Sequence, residues 1–131
     1  MGINVKFVNN GKETDICLEI RRRVFVEEQN IPETIEMDDE WVRAIYVCAI
    51  LDEEYVGTAR YRETSSGIKL ERFAVLKDKR GLGIGKTMVT FILDNLDKDK
   101  NIYLHAQESI VTLYLLLGFK KVGDRFYESE I

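Results

Sequence analysis

Three glycines in alternation, Gly81, Gly83 and Gly85, stand between an apolar run of strand length, Ile68 to Val75, and a segment in which Val89, Ile92, Leu93 and Leu96 recur at helical spacing. Strand, glycine loop and helix in that order bring bare backbone N–H groups and the positive end of a helix dipole to one point, an anion site suited to phosphate. The remaining elements must be arranged around that unit.

Asn4 to Val8 alternates and ends at Asn9-Asn10-Gly11, which predicts a first strand followed by a turn. A helix is expected from about Thr14 to Glu27, with Ile16, Ile20 and Val24 on its inner stripe beside Cys17, and Asn30-Ile31-Pro32 stops it. Glu33 to Glu40 reads as an acidic loop or short helix. Ala44 to Leu51, Tyr55 to Arg62 and Ile68 to Val75 predict an antiparallel meander, with turns at Asp52-Glu53-Glu54 and Ser65-Ser66-Gly67. Alternation places Tyr55, Gly57, Ala59 and Tyr61 on one face of the middle strand and Val56, Thr58, Arg60 and Arg62 on the other. After a helix to about Leu96 come a strand from Ile102 to Ala106 and a largely buried helix from Ser109 to Leu117 capped by Gly118. A hairpin of Phe119 to Val122 and Arg125 to Glu130 around Gly123-Asp124 closes the chain.

With 131 residues, 45% hydrophobic and 32% charged, the chain reads as one domain over 1–131 and is too apolar to be disordered. Nineteen basic against 23 acidic residues, with no long positive run, argues against nucleic-acid binding. The sequence shows neither a signal-peptide pattern nor a membrane-length apolar run, so the expected location is the cytoplasm, away from membranes. Cys17 and Cys48 have neither a CxxC spacing nor histidine partners, and read as buried hydrophobes in a reducing compartment, with no metal expected.

Three phosphate-binding patterns compete for the glycine loop. Gly85-Lys86-Thr87 would end a G-x-x-x-x-G-K-[ST] loop, but the first glycine falls on Arg80. A G-x-G-x-x-G pattern fails at Lys86 or Met88. R-x-x-G-x-G fits, from Arg80 through Gly81, Leu82, Gly83 and Ile84 to Gly85. Here the chain resembles the GNAT superfamily of acetyl-CoA-dependent N-acetyltransferases. Tyr114-Leu-Leu-Leu-Gly118-Phe119 looks like that family's Y-x-x-x-G-F segment. Arg23-Val-Phe-Val-Glu-Glu-Gln29, Glu36-Met-Asp-Asp39 and Leu104-His-Ala-Gln107 look like its ElaA-like branch. Gln107 stands where the family often has asparagine, and the branch's histidine-containing tail, which follows the final strand, has no counterpart up to Ile131.

The resemblance implies an α/β fold of GNAT type, a mixed, mostly antiparallel sheet splayed at the cofactor site with helices on both faces. It implies acetyl-CoA as donor, its pantetheine arm along the backbone of Phe73, Ala74 and Val75 and its pyrophosphate on the amides of Arg80, Gly81, Leu82, Gly83, Ile84, Gly85 and Lys86. Lys77, Lys79, Arg80 and Lys86 would face the phosphates. The Val75 N–H would be the oxyanion donor and Tyr114 the general acid. For the base, Glu71 on the strand face of Lys69 and Phe73, His105 at the end of the adjacent strand, and Glu28 are candidates. The acceptor is expected to be a primary amine of a small molecule or peptide, with a homodimer allowed. The acids Glu27, Glu28, Glu33, Glu36, Asp38, Asp39 and Glu40 favour a cationic amine over a neutral arylamine. Two other readings are a non-catalytic acyl-CoA-binding module and a nucleotide-binding protein. The latter is weak, because Asp94 and Asp97 lie on or just after a helix rather than a buried strand.

Overall fold

The computed structural model describes residues 2–32, 44–96, 99–105, 119–121 and 126–129. Its strands are β1 (Ile3–Phe7), β2 (Ile45–Leu51), β3 (Glu54–Thr64), β4 (Gly67–Val75), β5 (Ile102–His105), β6 (Phe119–Lys121) and β7 (Phe126–Ser129). They form one sheet in the order β1-β2-β3-β4-β5-β7-β6, antiparallel throughout except for β4 against β5. The expected helix from Ser109 to Leu117 lies outside the described residues, as does the turn at Gly123-Asp124.

Helix α1 (Gly11–Arg21) starts earlier than its apolar stripe suggests, because the chain caps it. Asn10 Oδ1 accepts the Glu13 N–H at 2.8 Å, and the Glu13 carboxylate accepts the Asn9 N–H at 3.3 Å. The asparagines read as a turn therefore form the N-cap. The buried Glu13 also binds Lys6 and the Tyr55 hydroxyl, joining the helix start to β1 and β3. From Arg22 to Glu28 the helix continues in π form, with the Gln29 N–H donating to the Val24 carbonyl. Asn30, at φ 60°, ends it in the left-handed region.

Neighbouring residues of β2 separate the two faces of the sheet. Val47 and Ala49 join a core with Ile84, Met88, Val89, Ile92 and Leu93 of helix α2 (Ile84–Asp94). Cys48 packs with Cys17 and Tyr46 under α1, and both cysteines are buried free thiols. A third cluster, Ile20 and Val24 on Ala74 and Leu76, seats α1 and the π segment on the end of β4.

Two irregularities alter the facing read from alternation. A register shift between Ala49 and Ile50, opposite Val56, sends Tyr55 to the α1 face, while Gly57 packs against Ile84 and Met88 on the α2 face. In β4, Thr58 pairs with Ala74 but Arg60 with Glu71, so Arg72, at φ 58°, is an extra residue in a bulge. The parity reverses there. Glu71 and Lys69 share the α1 face as expected, but Phe73 packs into the α2 core.

Candidate active site

β4 and β5 pair only from Ile68↔Ile102 to Leu70↔Leu104. Beyond that rung no described residue pairs with β4 on this side, so its end, Glu71 to Val75, is an open edge among the described residues. Leu76 donates its N–H to the Val56 carbonyl at 2.9 Å across β3. The ladder's alternation then turns the amide groups of Ala74 toward β3 and those of Val75 toward the open edge. Of the expected backbone contacts, Val75 faces the edge and Ala74 does not; Phe73 flanks it.

The chain leaves β4 through a 3₁₀ turn at Lys77–Lys79 and an extended Arg80, and enters α2 through Gly81 and Gly83, both at φ 82°. Gly83 is the N-cap and offers no side chain to the orphan amides of Ile84, Gly85 and Lys86. The first helical bond is Thr87 N–H to the Gly83 carbonyl. A Cβ at Gly81, Gly83 or Gly85 would meet nothing within 4 Å. Left-handed backbone explains the first two glycines, whereas Gly85 has an ordinary φ and an open flank. Neither conformation nor packing calls for glycine there, and its open flank leaves room for a ligand to come close. Uncapped amides around an open glycine flank fit a pyrophosphate. The loop fits a magnesium nucleotide less well, since Arg80 stands where such a loop has its first glycine.

Ile84 is buried in the core and anchors this helix start, while Leu82 and Lys86 are exposed beside it. Gly57, opposite Val75 in the ladder, makes the anchoring possible. Ile84 Cγ2 would lie only 3.2 Å from a Cβ there and Met88 Cε 3.3 Å. A lone glycine inside a strand is the sequence sign of such an approach.

Several charged side chains are placed other than expected. The Arg80 side chain turns away from the helix start: Nη1 and Nη2 bind the Glu28 carboxylate at 2.6 and 2.7 Å, and Nε donates to the Val75 carbonyl at 3.0 Å. Lys79 reaches Glu54 at 3.6 Å, leaving Lys77 and Lys86 exposed near the loop. Glu27 pairs with Arg22. The Arg80 hydrogen bond holds the Glu28 carboxyl below its ordinary range.

Glu71, with 9% of its side chain exposed, accepts from Arg60 at 2.7 Å and Arg62 at 2.9 Å and lies 3.4 Å from Lys69. Burial would raise its pKa, but the Arg62 hydrogen bond and the three positive charges outweigh it, and the net shift is downward. Arg60 and Arg21, both fully buried, share the Tyr46 hydroxyl at 3.2 and 2.6 Å. The backbone of His105 stands one rung past the last β4–β5 pair, opposite Phe126 of β7. Tyr114, Gln107 and the acids from Glu33 to Glu40 lie outside the described residues.

A mixed sheet that parts beside a glycine-rich, uncapped helix start defines an α/β protein with a candidate anion site next to a strand edge. The comparisons narrow that class. The family profile described as Acetyltransferase (GNAT) domain matches residues 21–131, and the chain belongs to the GNAT acetyltransferase family, whose members transfer acyl groups from acyl-CoA. A Bacillus subtilis protein provisionally named an acetyltransferase is 34% identical over 130 residues, 95% of this chain and 88% of its own. Escherichia coli ElaA shares the fold at TM-score 0.84 and 21% identity over 97% of both chains. The PaiA N-acetyltransferase of Thermoplasma acidophilum, solved with coenzyme A, does so at TM-score 0.72 and 16% identity over 100% of both. Among the described residues no helix is long and apolar enough to cross a membrane.

Proposed function

We propose that the protein is an N-acetyltransferase that moves acetyl from acetyl-CoA to a primary amine by direct attack within a ternary complex. The observation that carries this reading is Gly85, a glycine that backbone conformation and packing leave unexplained, set among the uncapped amides beside the open edge of β4. The N-acetyltransferase name of a fold neighbour solved with coenzyme A supports the donor and the kind of acceptor.

Acetyl-CoA supplies an activated thioester. The amides from Arg80 to Lys86 bind its pyrophosphate, with Lys77 and Lys86 adding charge. The Val75 N–H, aimed at the open edge, stabilises negative charge on the thioester oxygen. Tyr114 returns a proton to the departing thiolate, for which a phenol of ordinary pKa about 10 is suited. Of the base candidates, Glu71 and Glu28 are engaged by guanidinium groups that depress their basicity. His105, at the end of β5 one rung past the last β4–β5 pair, is the better choice for accepting the amine proton. The acidic stretch still favours a cationic acceptor, though Glu27 and Glu28 are spent on Arg22 and Arg80 and the bias falls to Glu33 through Glu40.

The test is thiol release from acetyl-CoA with spermidine, glucosamine, lysine methyl ester and aniline as acceptors, at low and high salt. The cationic amines should be preferred by kcat/KM and lose part of that preference in salt. Tyr114→Phe should lower kcat by about 10² to 10⁴, and His105→Ala should remove the acidic limb of the rate profile. A protein that binds coenzyme A but releases no thiol with any amine would be a binding module instead.

A further inference from the structure

We propose that Arg80 is a positioning residue of the transfer reaction, clamping the end of β4 to the π-helical segment instead of binding phosphate through its side chain. The inference rests on the acetyl-CoA reading above. A guanidinium carries five N–H donors in one rigid plane, and here Nε holds the Val75 carbonyl while Nη1 and Nη2 make a two-point contact with Glu28. With both ends of the fork engaged, Arg80 contributes to the phosphate cradle through its backbone N–H.

The two partners belong to different bodies. Val75 carries the N–H aimed at the open edge, and its carbonyl is fixed by Arg80 Nε. Glu28 is the last residue of the π segment, which otherwise meets the end of β4 through Val24 and Phe25, packed with Ala74 and Leu76. That apolar packing carries no directional polar contact to the Val75 amide. The clamp supplies a second attachment and sets the spacing between the segment and the Val75 amide. Both side chains are partly exposed, 40% for Arg80 and 28% for Glu28, and exposed ion pairs add little stability. Its effect should therefore appear in rate more than in folding.

Lysine separates the two roles, because it keeps the charge and serves phosphate well but cannot reproduce the fork. The variants Arg80→Lys, Arg80→Gln, Glu28→Gln and Arg80→Gln/Glu28→Gln are compared with the parent. The measurements are coenzyme A affinity by calorimetry, melting temperature, and the pH profile of thiol release from acetyl-CoA, with the best amine or with water. All three single variants should lose about tenfold in kcat, as expected for a misplacement near the reacting centre, and the double variant should lose no more. Coenzyme A affinity should stay within about threefold, and the limbs of the pH profile should not move. Full activity in Arg80→Lys, a lost acidic limb in Glu28→Gln, or multiplying losses in the double variant would overturn the clamp. So would weak coenzyme A binding in the Arg80 variants beside a fully active Glu28→Gln. Failure of the unsubstituted protein to bind coenzyme A is a separate result, and it would remove the functional reading on which the clamp rests.

Discussion

At the residue scale, Glu71 answers Arg60, Arg62 and Lys69 together. Arg60 is fully buried, and breaking a buried ion pair by removing one partner is costly, so Glu71→Gln should destabilise the protein by about 3 kcal/mol at pH 7. The pH dependence follows from the direction of the shift. Because the folded carboxyl lies below its ordinary value of 4.5, its contribution is fully present above that value and is lost as the pH falls through the folded pKa. Thermal unfolding of parent and variant should differ widely at pH 7 and converge in strong acid; a gap of equal size at both ends would mean that Glu71 is not ionised in the fold. The residue could be placed on its strand from the sequence, but its burial and partners could not. They depend on Arg60 and Arg62 arriving from the neighbouring strand, and nothing in linear spacing reports that.

At the element scale, the β2–β3 connection has two central residues, Asp52 at φ 51° and Glu53 at φ 69°, between paired Leu51 and Glu54. Two positive φ angles define a type I′ turn, in which glycine is favoured at the second position. Glu53→Gly should raise stability by roughly 1 kcal/mol, a few degrees in melting temperature, while leaving acyl transfer unchanged. A fall in melting temperature would show that the Glu53 side chain stabilises the turn more than its strained backbone costs. The meander itself was legible, since Ala44–Leu51, Tyr55–Arg62 and Ile68–Val75 carry strand periodicity and turn residues between them. Facing was less so. The bulge at Arg72 puts a long side chain in the left-handed region, where a sequence reader expects glycine or asparagine, and the facing of Phe73 reverses as a result. The π-helical extension over Arg22–Glu28 also left no local mark, because helical periodicity does not distinguish a fourth from a fifth residue over two turns.

At the scale of the whole molecule, the candidate site lies where β4 and β5 part. β4 is held by β3 along its length and, among the described residues, by β5 only to Leu70, which leaves the backbone of its last residues as the candidate ligand edge. α2 aims its N-terminus at the same place because Gly57 lets Ile84 and Met88 sit close on β3. The glycine pattern announced the loop, and the packing of Leu76 and Ile84 at its two ends shows why it is held there. The most direct measurement is calorimetric titration of the protein and of Gly85→Val with coenzyme A and with ATP. A Cβ there meets open space, so the free variant should stay folded and within about 1 kcal/mol of the parent. The account predicts that coenzyme A binds the parent well and better than ATP does, and that the folded variant loses most of that affinity. Equal coenzyme A affinity in the parent and Gly85→Val, or tighter binding of ATP than of coenzyme A, would contradict the claim that this loop is the cofactor's pyrophosphate cradle.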